Sequence, residues 1–360
     1  IVRNLFSDNQ HQFLAFLYLL TPAYIQLFVG YVETYAAILF IVAVYTLTAV
    51  IYLKKKIPFP YVAVVFLVMA LCHYLSLALL PSLLYLAYLE HRSRGIRGLI
   101  FGFGASAIIF VGILAMVNFD VDKFSASVPH SHFLPVFNLN NPAEAYSTAY
   151  TLFSGYHLID LLNFLMLMCP FSFLLLLLSF GKNKTSFTKS VEYKFFVAPI
   201  IPLIILLFTI KFDLGAAKDW DVLAPFVFIV VLFSIYVFLR AKITEMSGIL
   251  SLVIIFSFLN GLSFISLNST SEASIQRYQT LLDKRTVGNF GFYGATLHLA
   301  LYYHQTNNKP AAVDSWEKYS QAFPSDPRGY RNIVTNLRYL GPGGFARMSE
   351  TYDRWLSTNP

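Results

Sequence analysis

Charge is what this chain has least of. Only 12% of its 360 residues are Asp, Glu, Lys or Arg, about half the share of a soluble domain, and the mean hydropathy is +0.60. That balance excludes a soluble globular fold over most of the length and defines an integral membrane protein. Cysteine is nearly absent as well. Cys72 and Cys169 both stand inside apolar runs, which excludes a disulfide framework and reads as two small buried hydrophobes. The net charge of +7 does not point to nucleic acid, because the basic residues form short clusters between apolar runs, the pattern by which membrane proteins fix orientation.

The apolar segments lie near 12–21, 26–53, 59–89, 98–118, 156–180, 195–212, 222–239 and 247–266. A helix crosses a bilayer with about 20 residues, so 59–89 is too long for one span and short for two. Its flanks decide the matter. KKK at 54–56 precedes it and Arg92, Arg94 and Arg97 follow it. A hairpin bending near His73 and Ser76 keeps both clusters on the cytoplasmic side, as positive-inside bias requires. The remaining spans then alternate, with Lys182, Lys184, Lys189, Lys194, Arg240 and Lys242 inside and only Lys123, Lys211 and Lys218 in the outer loops. The expected fold is all-α: a polytopic transmembrane helical bundle over 1–266, with an outer loop at 119–155, followed by a soluble helical domain over 267–360 on the outer side.

Past residue 267 the composition turns polar, and WEKYSQAFP at 316–324 realigns with YDRWLSTNP at 352–360, an offset of 36 residues. That is close to the 34-residue tetratricopeptide period. Upstream, GATLHLALYYHQTNNKPAAVDSW reads as helix, polar turn and helix. The domain therefore resembles tetratricopeptide repeats, and Trp316, Tyr319, Tyr352 and Trp355 are expected at contacts between helices. With fewer than the three repeats such a stack needs, it is expected to pack on the membrane part or on a protein partner.

Three polar clusters fall at the outer ends of spans. Glu33, in GYVETY behind the Pro22 break, lies one to two turns below the outer surface, where an acid costs about 2.5 kcal/mol or more unless it faces protein, water or substrate. His157, Asp160 and Asn163 recur at i, i+3 and i+6 on one helix face. Lys218, Asp219, Trp220 and Asp221 crowd a short loop. Each has a structural alternative: a hydrogen bond to a neighbouring helix for Glu33, a helix cap for the histidine face, an interfacial anchor for the tryptophan loop. His130 and His132 lack a third ligand at set spacing, so no metal is expected.

The stretches TPAYIQLFVGYVETY, CHYLSLALLPSLLYL, YTLFSGYHLIDLLN and FDLGAAKDWDVLAPF are similar to segments of the polytopic GT-C glycosyltransferases and of bacterial membrane proteins of that kind ending in tetratricopeptide repeats. The resemblance covers most of 13–240. It implies transfer of a sugar from a polyprenyl-phosphate donor on the outer face of a bacterial inner membrane, with the C-terminal domain in the periplasm and no cofactor. Such enzymes place an acid in the first outer loop after a first span, so further residues are expected before Ile1. Among the acids present, the expectation gives Glu33, Asp219 and Asp221 the catalytic or sugar-contacting roles. Lys218 is expected to meet the donor phosphate, Trp220 to stack on sugar or isoprenoid, and His157, Asp160, Asn163 and His73 to bind substrate. Two other classes remain open: a transporter, which needs midplane sites and an inverted repeat not evident here, and a non-catalytic assembly subunit presenting the repeat domain to partners.

Overall fold

The computed structural model describes residues 1–29, 34–116, 133–136, 151–180, 188–210, 212, 219–241, 246–282 and 289–358. They are predominantly helical; among the described residues the only β pairing is an isolated antiparallel bridge between Phe133 and Ile210. Two compact units emerge. The first comprises Ile1–Phe133, Leu161–Ile210 and Asp219–Ser269, the second Leu134–Asp160, Lys211–Lys218 and Thr270–Pro360.

In the first unit the chain runs through α1 (Val2–Leu5), α2 (Asn9–Leu19), a 3-10 segment (Ala23–Phe28), α3 (Tyr35–Leu53), α4 (Phe59–Cys72), a second 3-10 segment (Tyr74–Leu79), α5 (Leu80–Arg94) and α6 (Ile96–Met116). After α7 (Gly155–Met168), which belongs to this unit from Leu161 onward, and α8 (Ser172–Phe180) come α9 (Val191–Thr209), α10 (Trp220–Arg240) and α11 (Met246–Leu267). Five of these, α3, α6, α9, α10 and α11, are long and apolar enough to cross a membrane. Helix α10 is the axis of the unit, 89% buried over its apolar window, whereas α6 is 6% buried and turns its apolar surface outward.

The stretch at 59–89 is a hairpin, as its flanking charges require. Side chains along α3 record its path: Tyr35 meets His73 at the tip, Tyr45 meets Phe66 and Ser82 midway, and Tyr52 meets Phe59 and Glu90 at the base. One end of the unit gathers the basic residues. There Lys54 pairs with Glu192 at 2.7 Å, Arg94 approaches Glu90, Lys56 donates to Asn4, and Arg240 donates to the Leu5 carbonyl.

The continuous apolar run at 156–180 is not one straight helix. Helices α7 and α8 meet at 87° across Cys169, Pro170 and Phe171, because a proline supplies no N–H to the preceding turn and pushes its predecessor out of the helical region. The carbonyls thus freed find a donor on α11: Asn260 Nδ2 donates to the Leu167 carbonyl at 3.1 Å. Its neighbour Gly261 serves a second break, between α2 and the first 3-10 segment. A Cβ on Gly261 would lie 2.6 Å from the Thr21 carbonyl oxygen, just ahead of Pro22. The two breaks also meet each other, Tyr18 Oη bonding Ser172 Oγ at 3.1 Å.

The second unit continues through α12 (Ser271–Leu281), α13 (Asn289–Gln305), α14 (Lys309–Ala322), α15 (Pro327–Leu337) and α16 (Pro342–Thr358), each of the last three packing on the helix before it. Trp316 and Tyr319 are buried with Phe292, Val313, Ile333 and Leu337 in its core. Tyr352 and Trp355, expected at contacts between helices, are less enclosed: Tyr352 is 49% exposed on α16 and Trp355 is half-buried, both lining a groove with Tyr330 and Arg331 of α15.

Asp326 joins α14 to α15. It caps α15 by accepting the Arg328 N–H at 2.9 Å, and it accepts the Tyr319 hydroxyl at 2.5 Å and the Arg328 guanidinium at 2.5 Å. Burial pushes the carboxyl up, but these donors outweigh it and hold the pKa at about 2. Because the folded value lies below the unfolded one of about 3.9, the carboxylate stabilises the unit fully above about pH 4 and loses that contribution as pH falls toward 2. Asp326→Asn is expected to cost about 1–2 kcal/mol at neutral pH. Pepsin digestion of both proteins checks it: the variant should be cut faster at pH 4.5, and the difference should shrink as pH falls to 2.

Candidate functional site

Opposite the basic end of the first unit lie the start of α3, the hairpin tip and the start of α10. Local chemistry builds the tip. Helix α4 stops at Cys72, and extended backbone at His73 lets its Nδ1 accept the Leu75 N–H at 3.3 Å, capping the 3-10 segment that follows. With Nδ1 as acceptor, a neutral ring carries its proton on Nε2 and presents a donor there. Three aromatic rings hold the imidazole. Tyr74 stacks on it at 5.3 Å and 12°, while Tyr35 and Phe226 tilt against it at 5.7 and 6.0 Å.

Phe226 belongs to α10, whose first turn carries Trp220 and Asp221, with Asp219 immediately ahead of it at the N-cap position. A carboxylate at that position is favoured by the positive end of the helix dipole, and Asp221 is buried. Trp220 is 6% exposed and meets Phe264 of α11 edge-on at 5.3 Å. It packs α10 against α11. Asp219 remains half-buried.

Phe226 also faces another way. With Leu223, Phe164, Cys169, Leu203 and Phe233 it lines an apolar groove of about 140 Å³ formed by α7, α8, α9 and α10. One side chain therefore touches both the imidazole cluster and a groove lined only by apolar residues.

The other expected site residues stand apart from this description. Glu33 and Lys218, with Lys211, Asp213, His130 and His132, lie outside the described residues. Tyr35, two residues after Glu33, is in the imidazole cluster. His157 and Asp160 belong to the second unit and Asn163 to the first. Along their helix His157 is buried, Asp160 half-buried and Asn163 exposed, so the i, i+3, i+6 spacing does not give them one common environment. Among the described residues no group of three or more His, Cys, Asp or Glu side chains is arranged to hold a metal ion.

Sequence reading missed the aromatic seat of His73 and the pairing of Asn260 with a broken helix. A signal existed for the second: an Asn-Gly pair inside an apolar span is costly unless the amide finds a partner. Comparison with protein-family models, with curated proteins and with solved structures found no match in any of the three.

Proposed function

We propose that the chain is a membrane glycosyltransferase-like protein of the GT-C kind, transferring a sugar from a polyprenyl-phosphate donor to an acceptor on the outer face of a bacterial inner membrane, with a tetratricopeptide-like domain in the periplasm. The observation that carries the reading is the double role of Phe226, which borders the imidazole of His73 and an apolar groove at once. A donor of this class is an amphiphile. Its phosphate and sugar need hydrogen-bond donors and acids, and its isoprenoid needs apolar surface continuous with the lipid.

In such a reaction the acceptor oxygen bonds to the anomeric carbon, the bond from that carbon to the phosphate oxygen breaks, and the acceptor proton passes to a carboxylate. Asp221, Asp219 and Glu33 are the acids for that proton or for sugar hydroxyls. His73 Nε2–H and Lys218 are the donors for the phosphate. The competing reading, a non-catalytic assembly subunit, draws support from the exposed Tyr352 and Leu356 on α16 of the second unit.

Sugar transfer by the complete protein, measured across polyprenyl-phosphate donors, tests the proposal. Glu33→Gln keeps size and removes charge, and is expected to lower transfer about 10²-fold. Unchanged transfer would make Glu33 a structural acid; no transfer by the wild type with any donor would leave the assembly subunit. Orientation has its own test. Cysteines placed at 184 and 326 should label from opposite faces with an impermeant reagent, and labelling from the same face would overturn it.

A further inference from the structure

The basic clusters that flank the hairpin are drawn around one buried carboxylate. Glu90 of α5 is 2% exposed. Tyr52 of α3, two residues before Lys54, donates its hydroxyl to Glu90 Oε2 at 2.9 Å, and Arg94 at the end of α5 approaches Glu90 Oε1 at 3.6 Å. Gly98 of α6, next to Arg97, lies against the same carboxylate, which a Cβ there would overlap. Phe59 of α4 closes the ring of contacts. It packs on Tyr52, on Phe103 and on the bare backbone of Gly102, where a Cβ would sit 2.7 Å from its ring. The α3–α4 turn, in which Lys55 takes a φ of 58°, and the α5–α6 turn are thereby held beside each other.

Like charges brought together repel unless something neutralises them. Among the described residues the ion pairs at this end are Arg94 with Glu90 and Lys54 with Glu192, and Lys56 donates to the neutral amide of Asn4. Asp8, four residues after Asn4, caps α2 by accepting the His11 N–H. Lys55, Arg92 and Arg97 are exposed, and no described acid pairs with them. Along α6 from Arg97 the surface turns apolar. Phe101 and Ile108 follow it at i+4 and i+11, on one stripe of the helix, and are 70% and 75% exposed. Between them Gly104 has no atom within 4 Å of the position a Cβ would take, so the stripe is notched at its centre.

We propose that the paired turns hold the phosphate of an anionic phospholipid, with Lys55, Arg92 and Arg97 around the headgroup and an acyl chain along the Phe101–Gly104–Ile108 stripe. Charge complementarity selects the ligand. A headgroup of net negative charge supplies what Glu90 and Glu192 leave unbalanced, whereas a zwitterionic one brings its own cation. The stripe separates a lipid from a free phosphate, which gains nothing from apolar surface.

The test uses the full chain in a neutral detergent, titrated with phosphatidylglycerol, with phosphatidylcholine of the same acyl chains, and with inorganic phosphate. Bound lipid is read by native mass spectrometry, and stability by the unfolding temperature. Phosphatidylglycerol is expected to bind at least about tenfold more tightly than phosphatidylcholine and to raise the unfolding temperature by about 3 °C, an effect inorganic phosphate should lack. Arg92→Gln with Arg97→Gln, at exposed positions, should weaken phosphatidylglycerol about thirtyfold, each basic residue near the headgroup contributing about fivefold. Arg92→Lys with Arg97→Lys keeps the charge and should hold binding within about threefold of wild type. Lys189→Gln with Lys194→Gln removes the same charge at exposed positions before and within α9, and should leave the lipid preference intact. The proposal fails if the two lipids bind alike, or if inorganic phosphate stabilises as much as phosphatidylglycerol. It fails equally if the Lys189 and Lys194 changes cost as much as those at Arg92 and Arg97, since net charge alone would then account for binding.

Discussion

Gly261→Leu is expected to abolish recovery of the folded protein, or to lower its unfolding temperature by more than any other single change in the first unit. Even a methyl group at this position would sit 2.6 Å from the Thr21 carbonyl oxygen, and the atoms around it are backbone of the Pro22 break, which no rotamer change can move aside. Overpacking costs about 1–3 kcal/mol where side chains can adjust; against backbone the cost lies at or above the upper end of that range. The control is Gly112→Leu on α6, an exposed position whose added Cβ has nothing within 4 Å. Size-exclusion profiles after heating in detergent check both. Equal thermal tolerance of the two variants would show that α11 does not hold the Pro22 break as described.

His73→Phe is expected to lower sugar transfer by up to about 10³-fold, the scale for removing one preorganised donor from a developing charge, while leaving the protein folded. Phenylalanine keeps an aromatic ring among Tyr35, Tyr74 and Phe226. It removes both the Leu75 cap and the Nε2 donor, so a second variant separates them. His73→Asn can accept the Leu75 N–H, as asparagine does at helix starts, but offers no donor at the reach of Nε2. If the donor matters, both variants lose transfer. Activity restored by His73→Asn would instead assign the residue to capping alone and weaken the phosphate role.

Much of the architecture was legible because charge is so scarce. With few charged residues, the clusters at 54–56 and 92–97 could be placed together only by folding 59–89 back on itself, and the Tyr35–His73, Tyr45–Ser82 and Tyr52–Glu90 contacts follow that hairpin. The break at Pro170 was not read, since hydropathy averages over a window and the run on either side stays apolar. The packing of Trp220 was not legible for a related reason: an aromatic ring next to two acids looks interfacial in one dimension, and helical geometry turns it toward Phe264. The repeat showed the opposite failure. Trp316 and Tyr352 stand 36 residues apart in matched stretches, yet Trp316 is buried and Tyr352 is 49% exposed.

Asn260 and Gly261 are consecutive residues, so the broken span α7–α8 and the Pro22 break take their positions from a single turn of α11. A slide of α11 along its axis by one residue, about 1.5 Å, would unseat the Asn260 amide from the Leu167 carbonyl and move Gly261 off the Thr21 carbonyl in the same motion. The two interruptions are therefore geared to one shaft: neither can shift its depth in the bundle without the other.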